Sequence, residues 1–242
     1  MSHQSGAAPA RTLAEQDESE LGGPMSVLVR QKRDHVRLDE LLSLLQQSSG
    51  PEQDRVLVRI YRLVFPHAFA EESVLWPVIR RVLPDGEALT LRVEEEHQEV
   101  NELVVRLEGG DLPADERERV LERLVTVLRE DVRDEEDELL PGLQQQLSTA
   151  QLNGLGIAWE TVRRIAPTRA HPVVSRRPPG NALAALPLTV LDNARDACDV
   201  LALRTPRSAE RLHAVSRRLA RLAGRVEQVG VLRRGERPST HR

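Results

Sequence analysis

His67 and Glu71 lie four residues apart in HAFAEESVLWP, residues 67–77. On an α-helix that spacing puts an imidazole and a carboxylate on one face, aimed at one point. Such a pair can hold a metal ion, or it can be a solvated pair on a charge-rich helix. The chain nearly repeats the stretch. Asp131 to Pro141 reads DVRDEEDELLP, 64 residues further on, and matches Glu71 with Glu135, Glu72 with Glu136, Leu75 with Leu139 and Pro77 with Pro141. A second pair of stretches, 62 residues apart, runs DHVRLDELLSLL from Asp34 and EHQEVNELVVRL from Glu96. It matches His35 with His97, Leu38 with Val100, Glu40 with Glu102, and Leu41, Leu42 and Leu45 with Leu103, Val104 and Leu107.

Two helices are therefore repeated as a pair. Neither hairpin can bury its apolar face alone, so the simplest architecture is all-α, a duplicated hairpin closing into an antiparallel four-helix bundle. His35, His67 and His97 are the histidines of that bundle, each at an apolar-face position. The inward set around His35 is Leu28, Leu38, Leu42 and Leu45, and around His97 it is Leu89, Val93, Val100, Val104 and Leu107. A single histidine on an apolar face is usually a core residue with its own partner. Three at the level of Glu71 and Glu135 call for a cation, because buried carboxylates must be paired or bind metal.

These residues resemble the hemerythrin-like, or HHE cation-binding, domains over about residues 26–146. In that family a His on the first helix, an H-x-x-x-E on the second, a His on the third and an H-x-x-x-E on the fourth hold a non-haem di-iron centre. The resemblance implies that His35, His67, Glu71, His97 and Glu135 bind two iron ions, with Glu71 and Glu135 as bridges. This chain departs from the pattern at the fourth helix, where Asp131 stands opposite His67 in the repeat. It also lacks the second third-helix histidine of the oxygen carriers, since Val93 and Asn101 flank His97 at one turn. Aspartate is a competent oxygen ligand for iron or manganese, so Asp131 is expected as the sixth ligand, and manganese or a mixed pair also suits the set. A carboxylate-rich shell favours the ferric state over reversible oxygen carriage. The function implied is binding or sensing of dioxygen, peroxide or nitric oxide. Catalase-like or ferroxidase chemistry is the enzyme alternative, and a metal-poor interaction module, with Asp131 as the lesion, is the third.

The elements that must position these residues can be traced along the chain. Residues 1–24 read as a disordered lead-in, 25–147 as the bundle, 148–166 as a further helix, 167–187 as a Pro- and Arg-rich extended linker, 188–232 as a helical hairpin and 233–242 as a disordered tail. Ser26 is expected to cap the first helix, Pro51 to sit in the first turn of the second, and Pro84-Asp85-Gly86 and Gly109-Gly110-Asp111 to be turns. Pro66, one residue before His67, is expected to kink the second helix or to mark its boundary at Phe65. Tyr61 is read as core, with a redox-active or ligating phenol as the alternative. Glu72 and Glu136 are placed to hydrogen-bond ligands, while the runs 94–96 and 134–138 otherwise read as solvated faces. His171 reads as a loop residue.

Of the 242 residues 40% are hydrophobic but only 2% aromatic, as suits helices packed through Leu, Val and Ala. The single cysteine, Cys198, cannot form an internal disulfide and reads as a small buried hydrophobe. With no long apolar run and no signal-peptide core, a cytoplasmic protein without a membrane partner is expected. The net charge of −4 hides an asymmetry. Residues 1–162 carry 17 Lys and Arg against 32 acids, and residues 163–242 carry 17 Arg against 6. The two parts are expected to attract each other or to find partners of opposite charge. Leu212, Val215, Leu219, Leu222, Val226 and Val229 form a seam on the last helix that can dock on the preceding helix or pair in a coiled-coil homodimer. Arg204, Arg207, Arg211, Arg217, Arg218, Arg221 and Arg225 surround it. Nucleic acid is not expected as a partner, because no DNA-reading motif and no stacking aromatics accompany them.

Overall fold

The computed structural model describes residues 11–109, 112–233 and 240. It is helical, with no strand among the described residues. Helix α1, Val27–Gln47, starts at Ser26, whose hydroxyl accepts from the Leu28 N–H at 3.3 Å. Helix α2, Gly50–Ala70, has Pro51 in its first turn, where a missing N–H is harmless. It continues through a wider turn, Glu71–Leu75, into α3, Trp76–Val82. Helix α4 is Gly86–Glu108; α5, Ala114–Asp134, is continued by a second wide turn, Glu135–Leu139, into α6, Leu140–Gln146. α1, α2–α3, α4 and α5–α6 are the four rods of the bundle. At the turn between the second and third rods, Gly86 lies so close to the Ile79 carbonyl that a Cβ would collide with it.

The expected disturbance at Pro66 lies elsewhere. α2 runs through Pro66 to Ala70, and regularity fails five residues later, at Glu71. There the Trp76 N–H reaches the Glu71 carbonyl, an i→i+5 bond, and the Leu140 N–H does the same to Glu135. Each wide turn begins on a repeated glutamate and is followed by a repeated proline, Pro77 or Pro141. A proline has no N–H to draw the next turn back into α register, which gives both copies the same irregularity.

That irregularity explains why residues 11–24 are not the disordered lead-in expected. In the widened register the Glu136 carbonyl would look to residue 141, a proline, for its donor, and the Leu13 N–H supplies one instead at 3.0 Å. Leu13 and Leu21 are fully buried, and Lys32 donates to the carbonyls of Leu13, Ala14 and Gln16 at 3.3, 2.8 and 2.6 Å. Residues 1–10 of that stretch lie outside the described residues, as do Gly110 and Asp111 of the expected turn.

Two apolar clusters fill the bundle on either side of a polar layer. One contains Leu38, Leu42, Ile60, Tyr61, Val104 and Leu128, and the other Leu28, Leu75, Trp76, Val93, Leu139 and Trp159. Trp159 belongs to α7, Thr149–Arg164, which lies against α1 and α2. Tyr61 is buried beside Phe65 with ring centroids 6.0 Å apart. It is core, and burial pushes its phenol pKa upward.

The C-terminal part departs from its expected outline. Helix α8 begins at Gly180, not 188, and spans Pro187 before ending at Arg204. The bond Pro187 forgoes is to Leu183, a residue half exposed, where water can serve the carbonyl. Residues 167–179 form turns that are tied down on α4 and are not a solvated linker. Arg177 pairs with Glu94 at 2.7 Å and Glu87 at 2.8 Å, and the His171 N–H donates to Asn101 Oδ1 at 2.9 Å. Glu94, read as part of a solvated run, is therefore fully buried. His171 is a loop residue but a buried one, held between Asp192 at 3.0 Å and Glu227 at 2.9 Å. Helix α9, Ala209–Glu227, lies along α8. Its expected seam is divided: Leu212, Leu219 and Val226 are half-buried, whereas Val215, Leu222 and Val229 are 44%, 45% and 50% exposed. Cys198 is half-buried. In the expected tail Thr240 is buried, and 234–239 and 241–242 lie outside the described residues.

Candidate metal centre

All six residues singled out from the sequence are buried in the layer between the two apolar clusters: His35, His67, Glu71, His97, Asp131 and Glu135. Side-chain atoms of His35, His67, Glu71 and Glu135 lie within 4.8 Å of one another, and so do those of His97, Asp131 and Glu135. Glu135 belongs to both groups. Glu71 reaches toward both as well, with one oxygen 3.0 Å from His67 Nε2 and the other 3.7 Å from His97 Nε2. Asp131 Oδ1 stands 3.4 Å from His97 Nε2, and Glu135 Oε2 stands 3.2 Å from His35 Nε2.

Every imidazole turns Nε2 inward and fixes its Nδ1 on an outer carboxylate. His35 Nδ1 meets Glu136 at 2.8 Å, His97 Nδ1 meets Glu72 at 2.9 Å, and His67 Nδ1 meets Asp34 at 3.2 Å. An acceptor at Nδ1 sets the tautomer, leaving the Nε2 lone pair free toward the centre. The wide turns serve this layer. They begin at Glu71 and Glu135, so the inner carboxylate and its successor both lie in the interior, the successor crossing to the histidine of another rod. Asp34 was missed in the sequence, although its place next to His35 in the repeated stretch was the available signal. It is also held by Arg163 of α7 at 3.3 Å, and Trp159 meets the His67 ring edge-on at 5.3 Å.

The fourth rod breaks the symmetry. In the repeat Glu96 corresponds to Asp34 and Asp131 to His67, so Glu96 has a carboxylate where Asp34 has an imidazole. Burial, with the charges of Asp131 and Asp134 behind it, pushes the Glu96 pKa up to about 7, and its Oε2 is buried without a hydrogen-bond partner.

The donor set fits a cation. Both oxygens of Glu71 and of Glu135, Oδ1 of Asp131 and Nε2 of His35 are buried with no hydrogen bond. Burial and the neighbouring charges of Glu71 and Asp131 push Glu135 up to about 8. Burial alone would depress the histidines, but the carboxylates around them outweigh it. His35 rises to about 9, and His67 and His97 stand well above the usual imidazole value. Glu71, which burial would raise, is held low by His67 and its neighbours. These shifts have one cause. Converging acids in a dry layer need positive charge, which bound protons or a metal ion can supply, and a metal would compete with those protons.

Residues 27–143 match the hemerythrin HHE cation-binding domain. This part of the chain belongs to that family. Among curated relatives, an uncharacterised hemerythrin-like protein of Schizosaccharomyces pombe is 25% identical over 131 residues, covering 54% of this chain and 64% of that protein. A DNA nickase of Nostoc sp. is 29% identical over 121 residues, covering 50% of this chain and 34% of that protein. The chain thus spans less than two thirds of the length of each. No solved structure matches it significantly. The HHE domain accounts for the bundle and its buried His and Glu cluster, whereas α7, α8 and α9 lie beyond the match. No described helix is long and apolar enough to cross a membrane.

Proposed function

We propose that the HHE domain of this protein holds two non-haem iron ions and binds or senses a small oxidant or diatomic ligand: dioxygen, peroxide or nitric oxide. The observation that carries this reading is the sharing of Glu135 between two ligand groups, with Glu71 reaching toward both. One ion would take His35, His67, Glu71 and Glu135. The other would take His97, Asp131 and Glu135, leaving its side of the layer poorer in imidazole. Bound iron would supply a Lewis acid and a redox couple at an open position.

The chain's own groups do the rest. Glu136, Glu72 and Asp34 hold the three Nδ1 protons and aim the rings. A small cavity beside the layer, lined by Leu38, Leu63, Val64, His67, Asp131 and Val132 among others, offers an apolar approach for a ligand without charge. Manganese or a mixed pair suits the same oxygen-rich set.

Metal analysis of protein produced in iron-rich medium tests the reading. Two irons per chain support it, one points to a site weakened by Asp131, and none leaves a helical scaffold. A di-iron enzyme is the second reading, favoured by the carboxylate-rich shell. Sustained oxygen evolution from peroxide, or catalytic oxidation of ferrous iron, would select it, and a stable oxygen or nitric oxide adduct would select the binder.

A further inference from the structure

The basic C-terminal part divides into two sets of arginines with different fates. Arg163, Arg169, Arg176, Arg177 and Arg195 reach acids of the bundle or of α8: Arg169 to Glu108, Asp196 and Asp199 at 3.2, 2.7 and 2.6 Å, and Arg177 to Glu94. These contacts account for the attraction between the two oppositely charged parts. The second set is untouched by it. Arg204, Arg207, Arg211, Arg217, Arg218, Arg221 and Arg225 are all exposed. The ion pairs found among the described residues include none of them.

Their arrangement is regular. At 100° per residue, Arg211, Arg218, Arg221 and Arg225 fall within about 80° of the circumference of α9 and extend about 21 Å along it. The opposite face, with Ser216, Ala223 and Glu227 buried and Leu212, Leu219 and Val226 half-buried, lies on α8. Glu227 is engaged with His171, which leaves Glu210 as the one exposed acid of the helix. Exposed acids such as Asp54 and Asp115 are engaged by Arg117 and Arg119, whereas Glu118 and Glu122 are exposed and enter none of the ion pairs found among the described residues, so a second copy is the competing occupant of this face.

We propose that the outer face of α9 binds the phosphate backbone of double-stranded DNA. A row of guanidinium groups along one helix face suits a fixed polyanion, which it would neutralise by releasing condensed counterions. Backbone contacts need neither a base-reading motif nor aromatics, the two absences that argued against nucleic acid in the sequence. Single strands are disfavoured, since α9 carries no Phe, Tyr or Trp for unstacked bases. A lipid surface is disfavoured because a helix lying in a membrane inserts its apolar face, and here Leu212, Leu219 and Val226 of that face are turned onto α8, with Val215, Leu222 and Val229 left partly exposed. The proposal is independent of the metal reading.

The test is fluorescence anisotropy of the full chain with a labelled mixed-sequence 20-base-pair DNA duplex over a range of NaCl. With about four phosphates engaged, log affinity falls against log salt with a slope of about −4. Arg218→Gln/Arg221→Gln/Arg225→Gln flattens the slope by about 3 and weakens low-salt binding at least roughly tenfold. The far-UV spectrum and melting stay unchanged. Arg59→Gln/Arg81→Gln, which removes two exposed bundle arginines, leaves binding as it was. The proposal is overturned by any of four results: no binding at 50 mM salt, a triple variant equal to the parent, a bundle variant as weak as the triple, or binding to phosphatidylserine vesicles or duplex RNA without binding to duplex DNA. Should the triple variant unfold, Arg211→Gln/Arg218→Gln gives the same comparison, with a slope change of about 2.

Discussion

Glu136 Oε1 stands 2.8 Å from Nδ1 of His35. Glu136 follows Glu135 directly, so a single turn of the fourth rod presents one carboxylate to the centre and aligns the imidazole of the first rod with the next. If His35 binds metal, Glu136→Gln keeps the side chain's size but removes the charge that orients and enriches that ring. Metal affinity should fall about 10- to 100-fold. Competition of ferrous or manganous ion against a chelator measures it, and an unaltered affinity would remove His35 from the ligand set.

Asp131→His gives Glu96 the imidazole that Asp34 already has in His67. The second ligand group becomes richer in nitrogen, and the absorption spectrum of the iron-loaded protein should move toward that of a histidine-richer centre. A spectrum identical to the parent's would show that position 131 does not touch metal.

His171 makes the docking of the C-terminal hairpin pH-dependent. Burial alone would lower its pKa, but hydrogen bonds to Asp192 and Glu227 outweigh burial and hold it at about 9, against 6.5 in the unfolded chain. The folded state binds the proton more tightly, so this contribution is complete below about pH 6.5 and disappears as pH rises through about 9. Its ceiling is about 3 kcal/mol. Urea unfolding at pH 6, 7.5 and 9.5 should show falling stability across that window, to which the raised groups of the metal layer also contribute, and His171→Gln should make the fall shallower by the share His171 carries. A parent slope unchanged by the substitution would place the effect elsewhere.

Gly156 sets the distance between α7 and the start of α1. A Cβ there would collide with the Met25 carbonyl and crowd the Val27 nitrogen at 2.9 Å, both backbone atoms that cannot swing aside. Gly156→Ala should cost about 1–3 kcal/mol by overpacking, offset in part by about 1 kcal/mol gained from helix propensity. Melting should drop by about 2–4 °C per kcal/mol. A variant as stable as the parent would mean that α7 can slide, and with it Trp159 and Arg163 beside His67.

The bundle was legible because it is written twice. The repeated pairs His35 with His97 and Glu71 with Glu135 are local patterns, each carried on one helix face, and helical periodicity alone turns them inward. Asp131 stood out because the repeat supplied its counterpart. Less could be said of residues 11–24, whose anchoring depends on a carbonyl at Glu136 that Pro141, well over a hundred residues away, leaves without a donor. The same holds for Glu94 and His171, polar residues whose burial depends on partners from another element.

The chain's own order of residues determined which side chains could share a centre, since the period of a helix fixes their faces without help from distant contacts. Folding in three dimensions decided the relations between helices. It assigned Glu136 to His35 and Glu72 to His97, tied Asp34 to His67, consumed one set of arginines against the acidic bundle and left the other facing outward. Those outcomes depend on distances between segments remote in sequence, which side-chain packing and the pairing of buried charge establish together.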